Sequence, residues 1–260
     1  MKFVVKLGGA TLEDPVLLDR CSRAISELVR DGHKVAVVHG GGVQLTKLLT
    51  QIGKKSEFVA GLRITDAETR DAALMVLGGR VNKSLVAALG RANVSAVGLT
   101  GGDGQVFRAR KKQTEHDLGF VGEIAHTDPK WLDAIWAMGA VPVISSIALG
   151  FDSEYYNVNA DEMASACAVA THADALVFLT DVPGVKGADG NVMRWLPLKD
   201  VPALEQTAVI TGGMLPKLDA CKNALTHGVK RVRILPANRA ELLPDFSSSR
   251  LDDGTEVIAA

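Results

Sequence analysis

Apolar residues fall along this chain in short uninterrupted runs, separated by longer stretches in which they recur every three or four positions. Phe3 to Val5 and Val35 to Val38 are the first two runs, and others lie near 94–99, 140–144, 175–180 and 231–235. A continuous, largely β-branched run has no polar face to turn to water, so each reads as a strand buried on both sides. Between the first two runs, Asp14 is placed to cap and Pro15 to open a helix with the apolar stripe Leu17, Cys21, Ala24, Ile25, Leu28 and Val29, and Gly32 stops it. The same periodicity predicts helices near 43–52, 66–91, 130–138, 160–172 and 214–227, the second introduced by the capping-box pattern Thr65-Asp66-Ala67-Glu68. Strands alternating with helices imply an α/β fold, a three-layer αβα sandwich around a mainly parallel sheet. Segments 53–64, 105–125, 147–157 and 182–194 are broken by Gly, Asp and Asn and predict hairpins decorating that sheet. No linker or repeat divides the chain, so 1–260 reads as one domain whose halves serve as functional lobes.

Composition removes several classes of function. With 260 residues, 47% hydrophobic and 23% charged, the chain is long enough for a large core and too apolar for disorder. Its 29 basic and 30 acidic residues leave a net charge of −1, which offers no surplus to a nucleic-acid backbone. Three scattered cysteines, Cys21, Cys167 and Cys221, form neither a disulfide framework nor a metal or redox pair, so a reducing cytoplasm is expected. The opening Met1-Lys2-Phe3-Val4-Val5-Lys6 is too short for a signal peptide, and the reading finds no apolar span of 18 residues.

The candidate chemistry lies where strands end. Lys6-Leu7-Gly8-Gly9 and His39-Gly40-Gly41-Gly42 each follow a strand and precede a helix, at the edge where open parallel sheets bind ligands. Each cluster alone reads equally as a tight turn, whereas two on neighbouring strands favour an anion site. Lys6 is either a solvated strand end or a ligand group. Lys217 sits in the first turn of a helix, where a cation opposes the helix dipole unless an anion is bound. Asn159 and Asp161 fit a plain N-cap with a dipole-favoured carboxylate. Arg63 is either a surface charge or a fork for a carboxylate. Asp181-Val182-Pro183-Gly184-Val185 is a Pro-Gly turn or a bend around a nucleotide, and His39 reads as a satisfied core histidine. The P-loop, Rossmann and protein-kinase signatures are missing from the sequence, as are those of zinc proteases and serine hydrolases.

Together, Lys6-Leu7-Gly8-Gly9, His39-Gly40-Gly41-Gly42, Gly61-Leu62-Arg63, Tyr156-Asn157-Val158-Asn159-Ala160-Asp161, Thr180-Asp181-Val182-Pro183-Gly184-Val185 and Gly212-Gly213-Met214-Leu215-Pro216-Lys217 resemble the acetylglutamate kinases of the amino acid kinase superfamily, in order over nearly the whole chain. The resemblance implies a sheet of roughly eight strands. It implies an acyl amino acid held by an N-terminal lobe of about 1–170 and ATP by a C-terminal lobe of about 171–260. Lys6 and Lys217 would stabilise the transition state and Asp161 would organise them. Gly41, Gly42, Arg63 and Asn157 would bind acetylglutamate. Gly8 and Gly9 would serve the nucleotide together with Asp181, Val182, Pro183, Gly184, Val185, Lys186, Val209, Ile210 and Thr211. Mg²⁺ would ride on the ATP phosphates, with no metal site on the protein itself. The implied reaction is phosphorylation of the side-chain carboxylate of N-acetyl-L-glutamate, on the arginine pathway. Arg63 and Asn157 would equally serve acetylaminoadipate, glutamate or aspartate, since one methylene is worth only ~1–3 kcal/mol. A non-catalytic metabolite sensor would have no need of the two lysines. Two departures are Ala60, where resembling sequences often carry Asn or Asp, and Gly212, where some carry Asp. A first strand starting at about Lys2 leaves no room for the N-terminal helix of arginine-controlled relatives, so an arginine-insensitive homodimer is expected.

Overall fold

The computed structural model describes residues 1–247 and 253–259; residues 248–252 and 260, at the end of the expected C-terminal lobe, lie outside the described residues. In chain order come β1 (Lys2–Leu7), α1 (Gly9–Glu13), α2 (Pro15–Arg30), β2 (Lys34–His39), α3 (Gly42–Gln51) and a small hairpin of β3 (Phe58–Val59) and β4 (Leu62–Arg63). Next, α4 (Ala67–Ala73) passes through a π-helical stretch, Leu74–Val81, into α5 (Asn82–Arg91), followed by β5 (Ala96–Leu99), β6 (Phe107–Lys111), β7 (Val121–Thr127), α6 (Lys130–Ala137), β8 (Val141–Ser145), β9 (Ile147–Gly150) and β10 (Tyr155–Val158). The chain then forms α7 (Ala160–Ala170), β11 (Ala175–Thr180), β12 (Trp195–Pro197), α8 (Val201–Gln206), α9 (Met214–Thr226), β13 (Arg231–Pro236) and β14 (Thr255–Ile258).

Eight of these strands make one sheet in the order β12-β14-β13-β11-β1-β2-β8-β5. All neighbours run parallel except β13 and β14. Alternation along the central strands divides the interior. Val4, Ala36, Val38, Leu176 and Phe178 enter the core beneath one face. Phe3, Val5, Leu7, Val35, Val37, Val177 and Leu179 enter the core beneath the other. Both faces are covered by helices, which is why the strands read as continuous apolar runs.

Helix starts follow local chemistry. Asp14 caps α2 by accepting from the Val16 and Leu17 amides, and Asn159 caps α7 by accepting from those of Asp161 and Glu162. At the third start the capping-box reading needs correction. Asp66 is the cap, accepting from the Thr69 amide, while the Thr65 hydroxyl donates to the Arg63 carbonyl.

Other features differ from the sequence reading. The helix expected over 66–91 contains the π-helical stretch, where Gly78 admits Thr100; an added Cβ would lie 2.8 Å from its methyl. Strands β6, β7, β9 and β10 do not fringe the sheet separately but pair with one another in a closed ring. Helix α8 and strand β14 were not anticipated. β14 is clipped to its neighbour by Glu256, which accepts from Arg231 Nε at 2.9 Å and Arg233 Nε at 2.7 Å. Contrary to the reading that no span of such length exists, Ala67–Arg91 has the length and mean hydropathy, 1.3, of a membrane span; half of its most apolar window is buried within the protein, as in a core helix.

Candidate active site

The carboxyl ends of β11, β1 and β2 lie side by side in the sheet, so the loops that follow them converge. Lys6, next to last in β1, extends its ammonium to 2.7 Å from Asp161 Oδ1. From the other side Lys217, in the first turn of α9, donates to Asp161 Oδ2 at 3.0 Å and lies 4.9 Å from the centre of the Phe178 ring. Asp161 is fixed by the Asn159 cap at the start of α7. Asp161 and Lys217 are 7% and 6% exposed, so two cations share one carboxylate with little water. Burial pushes the Asp161 carboxyl up, but the two ammonium groups outweigh it and hold it below the usual carboxylate range. For Lys217, burial and the neighbouring Lys6 push the pKa down, and Asp161 offsets this only in part. The cluster thus carries one positive charge in excess and favours an anion at its open side.

Beside it lies a cavity of about 180 Å³ lined by Gly40, Gly41, Gly42, Arg63, Ser146, Asn157 and Asn159 among others. Gly41 precedes α3 with φ 153°, and an added Cβ would stand 2.5 Å from a Leu77 methyl, so only glycine lets the loop pass the π-helical stretch. No side chain caps α3, which leaves its first amides open to a ligand. Arg63 is anchored at the far side: it donates to the Gly42 carbonyl at 3.0 Å and the Thr46 hydroxyl at 2.7 Å, contacts the Ser56 hydroxyl, and stacks 4.6 Å from the Phe58 ring centre. Asn157 donates to the Thr65 hydroxyl at 3.4 Å. A larger groove of about 450 Å³ adjoins the cavity, sharing Leu62 and Asn159 with it.

The residues expected to serve a nucleotide are less uniform. Gly8 donates its amide to the Leu179 carbonyl at 3.0 Å, so that group continues the sheet and is not directed at a ligand; Gly9 opens α1. Asp181, Pro183 and Lys186 are exposed on the loop after β11, whereas Gly184 and Val185 are buried, the Val185 amide donating to the Thr255 hydroxyl. Thr211 is exposed, Val209 half-buried and Ile210 buried in the core shared with Val185. Val185 and Ile210 keep their side chains in the core, and their backbone is engaged as well: Met193 donates to the Val185 carbonyl at 2.8 Å and the Ile210 amide donates to the Leu204 carbonyl at 3.2 Å.

Sequence reasoning missed two groups here. Lys112 lies 3.2 Å from Glu162 Oε2, tying the ring of strands to the residue after Asp161. Asn82 holds His39 Nε2 at 3.0 Å. Asn82 left one sequence signal, a polar residue within an apolar helical pattern, whereas Lys112 stands in a run of charged and polar residues and left none. His39 itself, fully buried, has its other ring nitrogen 2.8 Å from the Gly40 carbonyl, and burial pushes its pKa down to about 4.

That shift predicts a pH dependence. In the unfolded chain His39 binds a proton near pH 6.5, in the folded one only near 4. Between these values the unfolded state binds more protons, so stability rises with pH. The contribution is complete above pH 6.5 and is lost as pH falls to about 4, with an upper bound of about 3 kcal/mol. Urea midpoints of the protein and of His39→Asn should converge over this window; parallel curves would contradict a neutral His39 in the folded state.

Known proteins resemble this chain over its whole length. The sequence profile of the amino acid kinase family matches residues 1–236. The acetylglutamate kinase of Acidobacterium capsulatum is 71% identical over 260 residues, covering 100% of both chains. That of Koribacter versatilis is 52% identical over 259 residues, covering 100% of this chain and 99% of its own. Among solved structures, smu.665 from Streptococcus mutans UA159 superposes with a TM-score of 0.85 at 27% identity, covering 100% of this chain and 99% of its own.

Proposed function

Since the chain belongs to the amino acid kinase family, we infer that it transfers the γ-phosphoryl group of ATP to the side-chain carboxylate of N-acetyl-L-glutamate. The product is N-acetyl-L-glutamyl 5-phosphate, an intermediate of arginine biosynthesis. The observation that carries this reading is the Lys6–Asp161–Lys217 cluster, with contacts of 2.7 and 3.0 Å, beside the glycine-lined cavity that Arg63 borders.

In the reaction a carboxylate oxygen attacks the γ-phosphorus, and the bond to the β,γ-bridging oxygen breaks with its electron pair leaving on ADP. The carboxylate is ionised at neutral pH, so no general base is needed. What the protein supplies is alignment of two anions and positive charge around the phosphoryl group in flight. Lys6 and Lys217 provide that charge from opposite sides, and Asp161 keeps both ammonium groups aimed. The Gly41 and Gly42 backbone receives the reacting end of the acyl amino acid, while Arg63 and Asn157 hold its α-carboxylate in the N-terminal lobe, 1–170. The loops 181–186 and 209–211, together with Gly9, take the nucleotide on the lobe of about 171–260, while Gly8 serves only the turn that leads there. Mg²⁺ would ride on the ATP phosphates, since both Asp161 oxygens already face lysines. When bound it would neutralise phosphate charge. We place the enzyme in the cytoplasm, as a homodimer.

An ADP-release assay with hydroxylamine trapping of the acyl phosphate, run with acetylglutamate, glutamate, aspartate and acetylaminoadipate, tests the substrate. Acetylglutamate should give the highest kcat/KM, and preference for another acid would replace it in this reading. Arg63→Ala should raise KM for the acyl amino acid by about 10²-fold or more, the loss of a charge-assisted fork, while KM for ATP stays within twofold. A change confined to KM for ATP would remove Arg63 from the acyl site.

A further inference from the structure

We propose that His39 is a positioning residue for the proposed reaction: held by Asn82 in a single tautomer, it fixes the Gly40 carbonyl and so aims the Gly41 amide of the glycine loop into the cavity. This rests on the reading above, in which that loop receives the reacting carboxylate.

The hydrogen bonds allow only one arrangement. A carbonyl oxygen accepts and never donates, so the Nδ1 of His39, 2.8 Å from Gly40 O, carries the proton. Nε2 lies 3.0 Å from Asn82 Nδ2 and accepts. Asn82 cannot turn round to reverse this. Its Nδ2 also donates to Val143 O at 2.9 Å, and its Oδ1 accepts from Lys83 Nζ at 3.1 Å. Both His39 and Asn82 are fully buried, so water does not compete.

Two glycines show that the surroundings are shaped around this relay. At Gly98 an added Cβ would stand 2.0 Å from Asn82 Oδ1 and 2.8 Å from Lys83 Nζ, so the side chain of Asn82 occupies the space that any other residue would fill. At Gly41 an added Cβ would meet Leu77 and Val81 at 2.5 and 3.2 Å. The helix containing Leu77, Val81 and Asn82 therefore braces the loop twice, by packing on Gly41 and by hydrogen bonding through His39 to Gly40. The Gly40 carbonyl and the Gly41 N–H belong to one trans peptide plane and point in opposite directions, so holding the carbonyl toward the imidazole turns the Gly41 amide away from it, and Gly41 lines the cavity. That amide acts most strongly where negative charge builds during transfer, which is a kcat effect.

The test uses two variants and one spectrum of the full-length protein. His39→Leu keeps the apolar volume and removes both hydrogen bonds. His39→Asn places an amide nitrogen where Nδ1 was and keeps the bond to Gly40. We expect kcat with acetylglutamate to fall at least tenfold in His39→Leu and less than threefold in His39→Asn, with KM for ATP within twofold in both. Equal losses in the two variants, or a Leu variant with normal kcat, would overturn the proposal. Long-range ¹H–¹⁵N spectra of the protein without substrate, with the His39 signal assigned by its loss in His39→Asn, should show Nδ1 protonated and Nε2 bare. The opposite tautomer would also overturn it. Because the spectrum needs no turnover, failure of the acetylglutamate assignment leaves this result standing and separate.

Discussion

Replacing Lys217 with alanine should lower kcat by about 10²-fold or more while KM for ATP and acetylglutamate change by only a few-fold. Its ammonium is almost fully buried, 3.0 Å from Asp161, and carries its charge at a thermodynamic cost that burial and Lys6 both increase. A cation kept there against its own solvation is suited to a ligand whose negative charge is concentrated only while phosphoryl transfer is under way. Electrostatic groups of this kind typically contribute 10²–10³-fold to kcat. Lys6→Ala should behave alike, since Lys6 approaches the same carboxylate from β1. Steady-state kinetics with both substrates varied will measure this, and a Lys217→Ala enzyme with near-normal kcat would exclude it from the chemistry. Lys217→Arg should not restore full rate, because a planar fork cannot reproduce a compact point charge at this spacing.

Asp161→Asn should be as damaging for a different reason. The substitution keeps the shape of the side chain and deletes the negative charge between the buried Lys217 ammonium and the half-buried Lys6 ammonium. Asp161 raises the pKa of Lys217, so its loss lets burial and Lys6 push Lys217 further down. Two consequences are measurable. The alkaline limb of the kcat profile should move to lower pH, because Lys217 loses its proton earlier. Stability at neutral pH should fall by up to about 3–5 kcal/mol, the scale for a buried pair that has lost one partner. An unchanged pH profile would show that Asp161 does not set the charge state of Lys217.

What the sequence disclosed was what short-range chemistry encodes. The apolar runs of β1, β2 and β11 and the caps Asp14 and Asn159 depend on residues close in the chain, and they were legible for that reason. Glycine clusters marked the strand ends because tight turns and close approaches leave a compositional trace. That Lys6, Asp161 and Lys217 meet could not come from spacing, since 56 residues separate the last two; resemblance suggested it. The remainder depended on partners distant in sequence. Gly78 of the π-helical stretch faces Thr100, 22 residues later, and the His39–Asn82 contact spans 43 residues. β14 is held by arginines of β13 more than 20 residues earlier. Thr65 was mistaken for a cap because Thr and Asp adjoin, and only the amide geometry shows that Asp66 does the capping.

The place of β1 in the sheet bears on how the chain is made. It is flanked by β2, which follows almost at once, and by β11, whose pairing residues are 175–179. At a synthesis rate of roughly 5–20 residues per second, the second edge of β1 waits on the order of 10–30 s for its neighbour to leave the ribosome. During that interval a hydrophobic strand stands open in the middle of an unfinished sheet, a template for pairing with other nascent chains. Fragments ending before Ala175 should therefore precipitate or be retained by chaperones, and the polypeptide becomes self-sufficient only late in its own translation.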